Sequence, residues 1–224
     1  MSAVPSNYLC KILLVLADRS EAQSLLQDFA FTKLTENFYR CPDMHMSILI
    51  DMIILDQWGK DGVIRALTNT VLKNYDSCVN VGFAGACSPR FPLQTCYTID
   101  RVSQLSKDLP NQLDTTPELT VTALPSLPKA TLVSAHAPYT YGFHDTFQLV
   151  DMEGYAIAEL CKNVNLRCMM LKITSDYTTE DGRDYIKQHK YVLSEKLSCA
   201  FASTIYDIIE CSILQQVYRS SPIN

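Results

Sequence analysis

Asp151 and Glu153 flank Met152 at the head of an apolar helical pattern: Ala156, Ile157, Leu160, Cys161 and Val164. That spacing buries one helix face and sets Glu153 at the helix mouth. A carboxylate there either stabilises the positive helix end or accepts hydrogen bonds from a ligand's hydroxyls. Ser175 and Asp176 end a second apolar run, Cys168–Thr174. An acid at that point is a cap or turn former, or a general acid whose pKa is raised by burial. Glu21 falls in the first turn of another helix, an ordinary place for an acid. Gly82 and Gly85 close an apolar strand in a chain with seven glycines. Glycine lets backbone approach a ligand or a neighbouring helix closely, and the plain reading is a tight strand-to-helix turn. The spacing is not Gly-x-Gly-x-x-Gly, and Gly59-Lys60 lacks the following hydroxyl of a phosphate-binding loop. The histidines form no metal-ligand pair, although His136 and His144 share one loop. No metal or other cofactor is expected.

These residues need strands to deliver them. Lys11–Ala17, Met46–Leu55 and Ser77–Ala84 read as apolar, buried strands, as do Tyr97–Val102, Leu119–Ala123, Ala130–Ser134 and Cys168–Thr174. Ser20 is placed to cap a helix bearing Leu25, Leu26 and Phe29 on its inner face. The turn from Trp58 to Gly62 leads into a helix carrying Val63, Ile64, Leu67, Val71 and Leu72. Tyr185–Val217 supplies one or two long helices. Asp108–Thr116 and Thr178–Asp184 are polar loops. Ala135–Phe147 is a long aromatic loop without period, the kind that often serves a site. Strands alternating with helices predict an α/β class with a largely parallel or mixed central sheet. Ligands of such sheets gather at the carboxyl ends of the strands, where the loop after Ala17, Gly82–Gly85, Asp151–Glu153 and Ser175-Asp176 would meet.

The 224 residues suit one large domain, core about 8–217. Composition is that of a packed protein, 47% hydrophobic and 19% charged. A net charge of −5 without like-charge blocks gives no reason to expect nucleic-acid or membrane binding. No apolar run reaches membrane-spanning length, and Met1–Pro5 does not start a secretory signal. Nine cysteines, none in Cys-x-x-Cys spacing, read as small buried hydrophobes of a reducing, cytoplasmic home.

With these stretches on the page, the chain resembles the nucleoside phosphorylase and nucleosidase superfamily. Within it, the likeness is to bacterial 5′-methylthioadenosine/S-adenosylhomocysteine nucleosidases, with futalosine hydrolases of menaquinone synthesis similar. Val150 to Ala156 resembles the family's acidic Met-Glu motif, Thr174-Ser175-Asp176 its Ser-Asp motif, and Asn80 to Gly85 its glycine segment. Gly59-Lys60 and Ala17 to Glu21 match more weakly. The likeness runs from Lys11 to about Leu197 and implies a three-layer α/β/α fold around a mixed, twisted sheet.

The resemblance also implies roles. Cleaving an N-ribosidic bond passes through an oxocarbenium-like sugar, as in glycoside hydrolysis. Asp176 matches the acid that neutralises the leaving purine, and Ser175 would orient it. Glu153 matches the carboxylate that holds the ribose hydroxyls, with Met152 beneath the sugar and Asp151 beside it. Glu21 matches the base that activates water. Gly82, Phe83 and Lys172 join the binding set, Phe83 where serine is usual and Lys172 where arginine is common. The purine-stacking position falls near Pro138, so Tyr139 or Tyr141 would serve. Asn80, in place of a phosphate-binding arginine, and the glycine-free Ala17–Glu21 loop favour water as nucleophile. The substrate would be a 5′-modified purine nucleoside and the assembly a homodimer. A phosphorylase, with Arg19 as its phosphate ligand, or a nucleoside-binding protein with a decayed site are the other two readings.

Overall fold

The computed structural model describes residues 8–43 and 47–220. Met46, expected to open a strand, and Met1–Pro5 lie outside the described residues. The chain runs β1 (Cys10–Leu16), α1 (Arg19–Asp28), β2 (Thr32–Lys33), β3 (Phe38–Asp43), β4 (Ile48–Ile54), α2 (Gly59–Ala66) and α3 (Asn69–Leu72). It continues through β5 (Ser77–Ala86), β6 (Cys96–Gln104), β7 (Leu119–Thr120), β8 (Lys129–Ser134), β9 (Leu149–Asp151), α4 (Gly154–Asn163), β10 (Arg167–Asp176) and α5 (Gly182–Ser220).

One mixed sheet joins all ten strands, in the order β10-β6-β8-β9-β5-β1-β4-β3-β2, with β7 paired to β6. Because β10 also pairs with β5, five of these strands close on one another and form a small barrel. The remaining strands extend it as an open wing. Period-2 alternation distributes the side chains to two faces. Ile12, Leu14 and Leu16 pack with Leu25 of α1 and Leu193, Leu197 and Phe201 of α5. Leu13 and Val15 face the other way, onto Val63 of α2 and Ile157 and Cys161 of α4. Three layers follow, α/β/α, from strands that are apolar on both faces.

Several local readings change. Asp18, not Ser20, is the N-cap of α1; its side chain accepts from Ser20 N–H, and Glu21 answers from the third helical position in a reciprocal capping box. Gly82–Gly85 is no turn: β5 continues through it to Ala86, paired with β10 and β9. The helix after Gly62 stops at Ala66, and Thr68 caps a separate short α3. β2 and β3, absent from the sequence reading, cover the edge of β4. The C-terminal segment is one helix of 39 residues. By length and composition alone, an 18-residue window within its Gly182–Leu214 stretch passes for a membrane span. Its apolar residues instead pack on α1 and β10, as a core helix does.

Candidate active site

The parallel strands β1, β5 and β10 point their carboxyl ends the same way, and the acids named from sequence cluster there. Glu21 is buried, 5% exposed. Its Oε2 accepts from Ala17 N–H at 2.8 Å and Asp18 N–H at 3.2 Å, and its Oε1 from Phe83 N–H at 2.7 Å. A Cβ added to Gly82 would lie 2.7 Å from Oε1, so only glycine leaves the carboxylate room. Phe83 thus offers Glu21 its backbone, while its ring packs towards the α1/α5 core.

Lys172, on β10 opposite Gly82, is 2% exposed. Its Nζ lies 2.8 Å from Asp151 Oδ2. Asp151 also accepts from Ser134 Oγ at 2.7 Å and Gly154 N–H at 3.0 Å. Both its oxygens are spoken for inside the protein. In this structure Asp151 supports Lys172 and the start of α4. Glu153, buried beside it, accepts Gly59 N–H at 2.6 Å. Gly59 opens α2 at φ +79°, a backbone state that favours glycine.

Three acids around one ammonium cannot all ionise cheaply. Burial pushes Glu21 up to about 7, against the pull of Lys172 and the backbone donors. Burial and then the charge of Asp151 push Glu153 up to about 6. Burial works against the Lys172 ammonium, but Asp151, Glu21 and Glu153 outweigh it and hold its pKa above the ordinary value. Glu21 is therefore poised near neutrality, where a general base works best.

A cleft of about 550 Å³ opens beside this cluster, lined by Ala17, Asp18, Trp58, His136, Pro138 and Met152 among others. Its walls are the neighbours of the two glutamates. Asp176 does not line it. The acid stands at the end of β10, where Asp176 pairs with Gly85 and Gly85 with Val150 of β9. Two strand spacings separate Asp176 from Val150, about 10 Å between Cα atoms. A bulge between Thr174 and Asp176 re-aims the side chain. Oδ1 accepts from Ser175 Oγ at 2.7 Å and Oδ2 from Thr178 N–H at 2.8 Å. Tyr139 is buried, with its hydroxyl donating to Asn111 at 3.0 Å and its ring edge-on to exposed Tyr141. These contacts fix Tyr139 within the long loop. Asn80 donates to Val15 O at 3.1 Å and keeps its Oδ1 buried without a partner.

Sequence reading missed Gly59 as a donor, Ser134, Thr178 and Gly182. Gly59 and Gly182 contribute a backbone N–H and the space left by a missing side chain, and Ser134 and Thr178 contribute polar contacts that only the fold brings to Asp151 and Asp176. Only the two glycines left a hint, through the scarcity of glycine in the chain.

No family model and no curated protein matches the chain. Solved structures do. The methylthioadenosine nucleosidase of Chlamydia trachomatis, in an Asp-to-Asn variant bound to MTA, is 41% identical across 89% of this chain and 99% of that one, with a TM-score of 0.77. The same protein bound to adenine is 40% identical, covering 90% and 98%, at 0.75. The Helicobacter pylori enzyme with 5′-methylthioadenosine in its active site shares 15% identity over 88% and 99%, at 0.74, a likeness of fold alone. At 41% identity over nearly the whole of a relative that carries the same architecture, the chain belongs to the 5′-methylthioadenosine/S-adenosylhomocysteine nucleosidase family.

Proposed function

We propose that this protein hydrolyses the N-ribosidic bond of 5′-methylthioadenosine and S-adenosylhomocysteine, releasing adenine. The observation that carries this is the 41% identity with a nucleosidase solved with MTA bound. The buried acids are consistent with it. Water attacks the anomeric carbon and gives a proton to Glu21. The bond to the purine nitrogen breaks, its electron pair stays with the base, and Asp176 supplies the proton that neutralises it. Glu153 accepts from the ribose hydroxyls, and Met152 underlies the sugar. Lys172 compensates the two glutamates. Solvent returns the proton from Glu21 to Asp176.

The cleft supports a wider substrate range. Trp58, Gln57 and His136 line it, and an exposed indole with polar neighbours suits a large 5′-group better than a methylthio group alone. 6-Amino-6-deoxyfutalosine or futalosine, of menaquinone synthesis, fits that description. The protein acts in the cytoplasm, a reading supported by free thiols at Cys78, Cys87, Cys161 and Cys168, and as a homodimer.

The test is a panel of methylthioadenosine, adenosylhomocysteine, aminodeoxyfutalosine, futalosine and inosine, each with and without phosphate, read by chromatography for free base. Base release independent of phosphate is expected. Release only with phosphate would make the protein a phosphorylase, and retention without release a binding protein. Asp176→Asn should lose at least about 100-fold in kcat, the lower range of acid catalysis. Activity near wild type would remove Asp176 from the acid role.

A further inference from the structure

Thr178 is a β-branched residue in the left-handed backbone region, with φ +58°. That conformation is uncommon for any residue but glycine and is an outlier for a branched one. It persists only where the surroundings over-determine it, and here they do. Thr178 is 1% exposed. Its N–H donates to Asp176 Oδ2 at 2.8 Å. Its hydroxyl donates to Gly142 O at 2.8 Å, and its own carbonyl accepts Gly142 N–H at 2.8 Å. Its methyl occupies the space that a side chain on Gly85 would need, 2.5 Å from that ideal Cβ. Gly85 is the register partner of Asp176 on the adjacent strand.

One residue therefore grips three things: the Asp176 carboxylate, the strand beside it, and the 135–147 loop through both polar groups of Gly142. That loop also carries Tyr139, Tyr141 and the cleft residues His136 and Pro138. We propose that Thr178 is the positioning residue of the acid, linking the seating of the 135–147 loop to the orientation of the Asp176 carboxylate. The link rests on the reading of Asp176 as general acid. Through it, the loop that walls the cleft settles in place together with the proton donor. The hydroxyl acts through the loop and the N–H through the carboxylate, and neither touches the reacting atoms.

The test compares Thr178→Ala with Thr178→Ser. Both drop the methyl and ease the backbone, and they differ only in the hydroxyl. Two substrates separate positioning from general damage: methylthioadenosine, whose base needs a proton to leave, and a 4-nitrophenyl 5-methylthioriboside, whose phenolate does not. For Thr178→Ala, kcat on methylthioadenosine should fall by about 10- to 100-fold, a part of what acid catalysis supplies. On the nitrophenyl riboside it should change less than about 3-fold, because no acid is required. Thr178→Ser should restore most of the loss. Equal losses on both substrates, or a Thr178→Ala enzyme as fast as wild type, would overturn the proposal. Asp176→Asn measured alongside separates the two claims: if it too keeps full activity, the acid assignment fails, and if it alone is inactive, only Thr178 is dismissed. Should Thr178→Ala not fold, Gly142→Ala replaces it. The added Cβ there meets nothing within 4 Å, but its φ of +77° loosens the loop end of the same grip, and the same substrate selectivity is expected.

Discussion

Glu21 serves two masters. As the third residue of α1 it completes a capping box, and as a buried acid at the strand ends it is the candidate base. Its elevated pKa ties activity and stability to pH in opposite senses. The unfolded chain releases this proton near 4.5, whereas the folded protein holds it to about 7. Between those values the folded state binds more protons, so its stability falls as pH rises. The loss amounts to roughly 3 kcal/mol once Glu21 is fully ionised, at about 1.4 kcal/mol per pH unit. Activity moves the other way, since the base must be ionised: kcat/KM should climb with pH and level off above about 7. In Glu21→Gln the fall of Tm between pH 5 and 8 should be shallower than in wild type, with activity lost. A parallel Tm profile in calorimetry would show that Glu21 does not carry the effect. At this scale much was legible. Glu153 and Asp176 stood out as acids abutting apolar runs. The support that Asp151 gives Lys172 was not legible, because adjacency in sequence cannot say which way a carboxylate points, and this one is turned inwards onto Lys172.

Elements bring the acids together, and glycines make the room. Gly59 donates to Glu153, Gly82 lies under Glu21, Gly154 against Asp151, and Gly182 against Asp176. At Gly182 an added Cβ would fall 2.5 Å from Asp176 Oδ2. That position is the first residue of α5, outside the helix interior where alanine outranks glycine. Gly182→Ala should lower Tm modestly and cut kcat by about tenfold or more, because the carboxylate must shift and give up its hydrogen bonds to Ser175 and Thr178. Unaltered kinetics would mean that Asp176 has slack the geometry does not show. The strands β1, β4, β5 and β10 were readable because each is apolar on both faces. β2 and β3 were not: Thr32–Lys33 is two exposed residues, and Phe38–Asp43 mixes Arg40, Pro42 and Asp43 into its run. Gly82–Gly85 was read as a turn because glycine usually ends strands; here it thins one, so that side chains from both sides can approach.

Across the whole molecule, several large apolar groups face solvent. Leu109 and Leu113 are half exposed, as are Tyr141 and Phe143, and the Tyr139–Asn111 hydrogen bond ties their two loops together. The proposed homodimer would cover such exposed apolar groups. Sedimentation should give twice the 25.2 kDa of the chain, and Leu109→Asp should shift the protein towards monomer. A monomeric wild type would retire that assembly. The α/β class and the strand-end site were foreseeable from alternation and the three layers from the family resemblance, but barrel closure was not, because pairings between β10, β5 and β6 leave no mark in local sequence. That closure has its own outcome. β10 is bonded along both edges within the closed barrel, whereas the β2–β3 wing joins the sheet only through β4 and ends in the two-residue β2. In deuterium labelling followed by mass spectrometry, peptides spanning Met169–Ile173 should take up label last and those spanning Phe38–Cys41 among the first. The proton donor would then ride on the slowest-breathing rail of the protein, and what yields to an incoming nucleoside must be the loops around it.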